Sequence, residues 1–313
     1  MSIAFVFPGQ GSQSVGMGKD LAAASSVARL VFEEIDEALG QNLSSIMFNG
    51  PIEELTLTTN AQPALMAVSM AIMRTLEIEG GLDITKFIRF AAGHSLGEYS
   101  ALAAVKSFGI ATAARILKAR GVAMQESVPV GNGNMLAVLG VEMDLAEEIV
   151  VEAAQGEVCS IANDNAIGQI VLSGTKSAIN RATKIAERKG AKRSILLPVS
   201  APFHCAMMAP AADIMATELA TVVIEEPIVP IISNVSAQAI IAPDEIRRLL
   251  VEQVTARVRW RESILFMKNN GVEKLFEIGS GKVLTGLTRR IDPNLKSISI
   301  QGPEGIDEFL GSL

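Results

Sequence analysis

The sequence predicts an α/β protein, a large domain on a mainly parallel sheet with a small βαββαβ domain inserted into it. Three observations carry that expectation. Short β-rich runs alternate with longer helical patterns, as parallel sheets covered by helices require. The 313 residues, 49% of them hydrophobic, suffice for one large domain or for a domain carrying a smaller insert. A cluster of turn formers, Pro129-Val130-Gly131-Asn132-Gly133-Asn134, interrupts the alternation once.

The apolar run 3–7 reads as a buried strand, closed by the turn Pro8-Gly9-Gln10-Gly11-Ser12-Gln13. Helical periodicity follows near 27–39 and 61–77, then a strand at 87–92 and helices at 96–105 and 110–125. After the break come strand 135–139, helix 144–154, strands 158–162 and 169–172, helix 177–189 and strand 193–197. That order within about seventy residues is the ferredoxin-like split βαβ unit. The small domain is therefore expected at 128–198, and the large domain at 1–127 and 199–313, against the alternative of one continuous sheet. The large domain resumes with helix 205–219, strand 229–232, helices 243–254 and 263–270, and strand 274–278. No internal repeat or low-complexity tract interrupts the pattern.

Composition narrows the function classes. Lys and Arg number 27 against 34 Asp and Glu, a net charge of −7, and no basic run offers a footprint for a nucleic-acid backbone. The charge-free stretches 55–73 and 194–212 are broken by Pro63, Pro198, Pro202 and Pro210, so no membrane span is expected. The start of the chain lacks the charged region and cleavage site of a secretory signal. Cys159 and Cys205 cannot build a disulfide framework, and a cytoplasmic location is expected. With those two cysteines and two histidines, His94 and His204, a metal centre is improbable.

The segment Gly93-His94-Ser95-Leu96-Gly97-Glu98 holds a G-x-S-x-G between a strand pattern and a helix pattern, the context a nucleophile elbow demands. Ser95 is then the candidate nucleophile, at a helix N-terminus whose free amides favour an oxyanion. The alternative is an ordinary glycine-rich strand–helix turn. A serine hydroxyl needs a base, and imidazole suits that role. His94 adjoins Ser95, and neighbouring side chains on a sharp turn diverge. His204, on a loop stiffened by Pro198 and Pro202, is therefore the base candidate, with a structural histidine as the other reading.

On the 110–125 helix, Ile110, Ala113, Leu117, Gly121 and Met124 form one stripe. Arg120 lies within about 60° of Leu117 on that stripe, whereas Arg115 points to the opposite, solvated side. An inward guanidinium must meet an anion, because it cannot shed its charge. A structural carboxylate and a bidentately held substrate carboxylate are equal candidates from spacing alone. Gly9-Gln10-Gly11 and Gly279-Ser280-Gly281-Lys282 depart from the dinucleotide and phosphate-loop patterns, so nucleotide binding is not expected. The turn after the first strand does leave backbone N–H groups where a second oxyanion donor could sit, unless it is a plain strand-to-helix turn.

Six ordered pieces resemble the malonyl-CoA:acyl-carrier-protein transacylases, acyltransferases that load malonyl groups for fatty-acid synthesis. They are Phe7-Pro8-Gly9-Gln10-Gly11-Ser12-Gln13, Asn60-Ala61-Gln62-Pro63-Ala64-Leu65, Gly93-His94-Ser95-Leu96-Gly97-Glu98-Tyr99-Ser100, Arg120-Gly121-Val122-Ala123-Met124, Val199-Ser200-Ala201-Pro202-Phe203-His204 and Gly281-Lys282-Val283-Leu284-Thr285-Gly286-Leu287. The likeness runs from about residue 3 to residue 300. It implies a hydrolase-like α/β domain with a ferredoxin-like subdomain, Ser95 as nucleophile and His204 as base. It also implies an oxyanion hole from the amides of Gln10 and Leu96, Arg120 as clamp for the malonyl carboxylate, and Gln62 as a pocket residue. A main-chain carbonyl, matched at Gln253, would orient the histidine. Phe203 stands beside the base, as in malonyl-selecting polyketide modules, and would exclude an α-methyl branch. The resemblance implies no cofactor, coenzyme A thioester being a substrate, and malonyl-CoA and acyl carrier protein as partners. A monomer is the expectation for oligomeric state. Competing readings are an esterase or thioesterase with Asp144 or Asp164 as acid, an acyltransferase serving polyketide synthesis, and a non-catalytic carrier-binding module.

Overall fold

The computed structural model describes residues 2–199 and 201–312; Ser200, in the motif that ends at His204, lies outside the described residues. Ten strands run in chain order as β1 (Ile3–Phe7), β2 (Ile88–Gly93), β3 (Gly133–Leu139), β4 (Cys159–Ala166), β5 (Gln169–Thr175), β6 (Arg193–Leu196), β7 (Ile231–Ile232), β8 (Ala239–Ile240), β9 (Lys274–Ile278) and β10 (Lys296–Ile300). They form two sheets. The larger has the order β10-β9-β1-β2-β7-β8 and is parallel except for β8. The smaller has the order β4-β5-β3-β6 and is antiparallel throughout.

Helices α1 (Lys19–Ala24), α2 (Ser26–Leu39), α3 (Leu43–Asn49), α4 (Ile52–Thr56) and α5 (Thr58–Ile78) fill the connection from β1, and the short α6 (Ile84–Phe87) leads into β2. Helices α7 (Gly97–Ala104) and α8 (Ile110–Glu126) follow β2, while α9 (Met143–Ala154) and α10 (Lys176–Arg188) cover the small sheet. Then come α11 (Ala209–Ala220), α12 (Pro243–Gln253), α13 (Trp260–Asn269), α14 (Val283–Ile291) and α15 (Pro303–Gly311).

Alternation along β1 explains the layers. Phe5 and Phe7 face the core shared with α2, α5, α7 and α8, whereas Ala4 and Val6 face the core under α13 and α14. Because both faces of the sheet are covered, β1 is buried along its whole length and reads as a continuous apolar run. Helix α5 is buried on nearly every side, so its apolar content is the signature of a core helix. The small sheet packs Leu136, Val138 and Leu172 against α9 and α10, and turns Met135, Ala137 and Val171 toward the main core. At its β4 edge it is tied to the large sheet's side: Asp164 N donates to Val258 O at 3.0 Å, Val258 N donates to Ala162 O at 2.8 Å, and Arg261 grips the buried Asp164 carboxylate.

The expected elements from 3 to 278 are present, with local differences. The helix expected from 205 begins as a 3₁₀ turn, Ala206–Met208, and becomes α-helical at Ala209 with Pro210 in its first turn. Strand β7 is shortened to two residues behind Pro230, which has no N–H to add to the ladder. Beyond 278 the structure adds α14, α15 and β10; β10 lacks a strand-like apolar run because it is an edge strand whose Lys296 and Ile298 face solvent. No helix of the described residues is long and apolar enough to cross a membrane.

Candidate active site

Among the glycines of the described residues, the closest backbone approach lies where β2 turns into α7. A Cβ on Gly93 would stand 1.8 Å from Gly97 O, so a side chain there would force the strand and helix apart. Between these glycines Ser95 adopts φ 53°, a left-handed conformation that costs a non-glycine residue on the order of 1–3 kcal/mol. Asn234, just beyond β7, holds it there. Its Oδ1 accepts the Ser95 amide at 2.7 Å and its Nδ2 donates to Gly93 O at 2.7 Å.

Ser95 Oγ lies 2.8 Å from His204 Nε2. His204 Nδ1 lies 2.9 Å from Gln253 O, a carbonyl in the last turn of α12 that has no helical partner to accept from. A carbonyl accepts only, so the proton is on Nδ1 and the lone pair of Nε2 faces the serine hydroxyl. Burial, and after it the Arg120 guanidinium, push the His204 pKa down to about 3. The imidazole is therefore neutral at physiological pH, the form a general base needs.

Arg120 comes from α8, as its stripe position requires, and is 1% exposed. Gly121 allows that approach: a Cβ there would sit 2.7 Å from Thr58 O at the start of α5. Arg120 Nη1 donates to Gln62 Oε1 at 2.7 Å, and Nη2 donates to Gln253 Oε1 at 2.9 Å and to Ser95 Oγ at 3.3 Å. Its Nε, though buried, has no partner. Among the described residues no carboxylate lies within ion-pair distance of Arg120. A buried cation dressed only by neutral groups is strongly attractive to an incoming anion.

These groups open into one cavity of about 290 Å³ between the large sheet's strand ends and the small sheet. Gln10, Gln62, Leu96 and Phe203 line it together with Ser95, Arg120 and His204. No side chain caps the α7 N-terminus at Leu96, and the amides of Gly97, Glu98 and Tyr99 are taken by the carbonyls of His94, Ser95 and Leu96. Gln253 works from behind the wall. Four larger surface hollows, of about 510 to 710 Å³, have no histidine in their lining. Among the described residues no three His, Cys, Asp or Glu side chains gather as a metal site.

Other sequence-singled residues have structural duties. His94 bonds Asn165 Oδ1 at 2.8 Å across to the small sheet and packs on Trp260 at 5.5 Å. Asp164 is committed to Arg261, and Asp144 sits in the first turn of α9; the histidine's partner is the Gln253 carbonyl. The late glycine motif braces the first turn, since Ser280 Oγ donates to Ser12 O at 2.8 Å and Glu277 caps α14 through the amides of Leu284 and Thr285. Sequence reading missed Asn234 and the side chain of Gln253. Neither has a periodic or spacing signal; only a buried, hydrogen-bonded polar group would have betrayed them.

A strand–elbow–helix serine, a buried histidine and a buried arginine thus gather around one small cavity on an α/β fold. The chain belongs to the acyl transferase domain family, whose model matches residues 4–285. It is 44% identical to the malonyl CoA-acyl carrier protein transacylase of Escherichia coli strain K12 over 303 residues, 97% of each chain. Its fold superposes with a TM-score of 0.98 on the acyl-carrier-protein-S-malonyltransferase of Bartonella henselae, at 54% identity, covering 100% of this chain and 99% of that one. A type II polyketide synthase acyl-carrier protein in complex with its malonyl-transacylase contains a chain similar at 40% identity and TM-score 0.96, with 100% of both chains covered.

Proposed function

We propose that this enzyme transfers malonyl from malonyl-CoA to the phosphopantetheine thiol of acyl carrier protein, supplying fatty-acid synthesis, by a ping-pong serine mechanism. The carrying observation is the 2.8 Å Ser95–His204 pair beside a buried, carboxylate-free Arg120. Malonyl differs from acetyl by one carboxylate, and the site contains one buried cation in need of one. Ser95 Oγ attacks the thioester carbon as His204 Nε2 takes its proton. The oxyanion is held by the amides of Gln10 and Leu96. Coenzyme A leaves with the proton from His204; the carrier thiol then gives its own proton to His204 as its sulfur attacks the serine ester, and Ser95 Oγ leaves with that proton as the ester bond breaks. Gln62 fixes the Arg120 guanidinium while it holds the substrate carboxylate, and the Gln253 carbonyl keeps the imidazole in the required tautomer.

The order β4-β5-β3-β6 supports reading residues 128–198 as a ferredoxin-like domain inserted into a hydrolase-like one at 1–127 and 199–313. It acts without a cofactor, as a monomer, and the buried free thiols of Cys159 and Cys205 suit a reducing cytoplasm.

Incubation with malonyl-CoA is expected to leave a malonyl increment on the intact protein, discharged by holo carrier protein faster than by water. Release to water alone would make the enzyme a thioesterase, and no increment at all would make it a binding module. Phe203, 7% exposed on the cavity wall, adds the steric part of selectivity. In Phe203→Ala the methylmalonyl-to-malonyl ratio of kcat/KM should rise about 10-fold, the scale of a methyl-sized discrimination. An unchanged ratio would show that the ring does not exclude the α-methyl branch.

A further inference from the structure

The chemistry above uses Ser95, His204 and Arg120 but leaves one buried acid unexplained. Glu98 lies in the first turn of α7, three residues after the nucleophile, and is 1% exposed. Its Oε2 accepts from Gln253 Nε2 at 2.7 Å and from the Asn234 amide at 3.1 Å. We propose that Glu98 is a positioning residue, whose carboxylate sets the sense of the Gln253 amide and the place of Asn234, and through them the set of Arg120, His204 and Ser95. The proposal rests on the malonyl-transfer reading of the site.

Hydrogen-bond polarity carries the argument. A carboxylate accepts and cannot donate, so Gln253 must turn its Nε2 toward Glu98. That same nitrogen donates to Ser95 O at 3.0 Å, and the opposite atom, Oε1, is left facing Arg120 Nη2 at 2.9 Å. A flipped amide would set an NH₂ against a guanidinium, two donors in contact inside the protein. The backbone carbonyl of the same Gln253 orients His204, so one residue fixed by Glu98 serves both partners of the nucleophile. The second branch passes through Asn234, whose side chain holds the Ser95 amide and Gly93 O. Glu98 is also the acid whose charge reaches Arg120, across the Gln253 amide rather than by direct contact. The guanidinium is thereby offset at a distance, and its front stays open for a substrate carboxylate.

The charged and titratable groups that act on Glu98 are Arg120 from α8 and Tyr99 beside it on α7. Burial raises the Glu98 carboxyl to about 7, while the Gln253 amide, the Asn234 amide and Arg120 pull it the other way. His204 titrates far lower and stays neutral. As pH falls through about 7, then, the group that gains a proton is Glu98. A neutral carboxylic acid accepts more weakly from Gln253 Nε2 and the Asn234 amide and no longer offsets Arg120, so the hold on Gln253 and Asn234 loosens and transfer slows.

The test measures malonyl transfer to holo carrier protein from about pH 5 to about pH 9 for the wild type, Glu98→Gln and Glu98→Ala. Intact mass after malonyl-CoA and thermal unfolding accompany each. The wild type should show an acid limb in kcat/KM with a midpoint near 7. Glu98→Gln keeps an acceptor oxygen but no titrating proton; it should form the adduct, turn over about 10-fold more slowly and lose the limb. Glu98→Ala should fall about 100-fold in kcat with a smaller change in KM, because positioning rather than affinity is lost. A Glu98→Gln profile that keeps the wild-type limb overturns the proposal, as does a folded Glu98→Ala with unchanged kcat. If Glu98→Ala fails to unfold cooperatively, the Glu98→Gln profile decides alone. Absence of a malonyl adduct in the wild type would instead overturn the functional reading on which the proposal rests.

Discussion

Ser95→Ala is expected to carry no malonyl group after incubation with malonyl-CoA, and its transfer rate should fall by about 10⁶, the scale on which removal of a serine nucleophile acts in a hydrolase. The reason is geometric. Within the described residues of the cavity, the Ser95 hydroxyl is the one standing within 2.8 Å of an unprotonated imidazole nitrogen. The fold should survive, because the backbone strain at φ 53° is held by Asn234 and not by the hydroxyl. Loss of the hydroxyl also frees Arg120 Nη2 from its 3.3 Å contact, so malonyl-CoA binding should persist while chemistry stops. Intact-mass spectrometry and isothermal titration check the two halves separately. A malonyl increment on the variant would exclude Ser95 as the acyl carrier.

Arg120→Ala is expected to exchange specificity for promiscuity. A substrate carboxylate delivered into this cavity without its cation would be buried and unpaired, at a cost of about 2–5 kcal/mol by analogy with truncated buried charge pairs. That corresponds to a loss of roughly 30- to 5,000-fold in kcat/KM for malonyl-CoA. Acetyl-CoA loses nothing comparable. In the wild type an acetyl group leaves the buried guanidinium to the Gln62 and Gln253 amides, the serine oxygen and the Tyr99 ring 5.6 Å away. The ratio of acetyl to malonyl transfer should therefore rise in the variant. Side-by-side kinetics with the two thioesters check this, and an unchanged malonyl preference would remove Arg120 from substrate recognition. The variant also leaves Gln62 Oε1 and Gln253 Oε1 without their donor, so a lowered melting temperature is expected alongside the kinetic change.

Much of the fold was legible because its signals are local. The apolar run of β1, the 3.6-residue stripe of α8 and the turn cluster before β3 each state their structure within a few residues. Errors fell where a tertiary partner does the work. Helix α5 starts at Thr58, ahead of the expected 61, because its surroundings bury that turn too, and β10 is a strand because β9 offers a ladder, not because its lysine and serines favour one. The even choice over Arg120's partner was likewise undecidable from spacing. Stripe position told that the guanidinium points inward; it could not tell that Glu98 would stop short, with an amide between them.

Chemistry-bearing side chains and the elements that present them were thus written along the chain, since an elbow, a helix stripe and a proline-stiffened loop each need only neighbouring residues. Convergence was not. The hydroxyl meets an imidazole 109 positions away, its amide meets Asn234 at 139, and Glu98 reaches Gln253 at 155. Hydrogen bonds over such separations leave no periodicity behind them. They exist because two sheets close over one small cavity, where burial drives most polar atoms, though not Arg120 Nε, to find a partner.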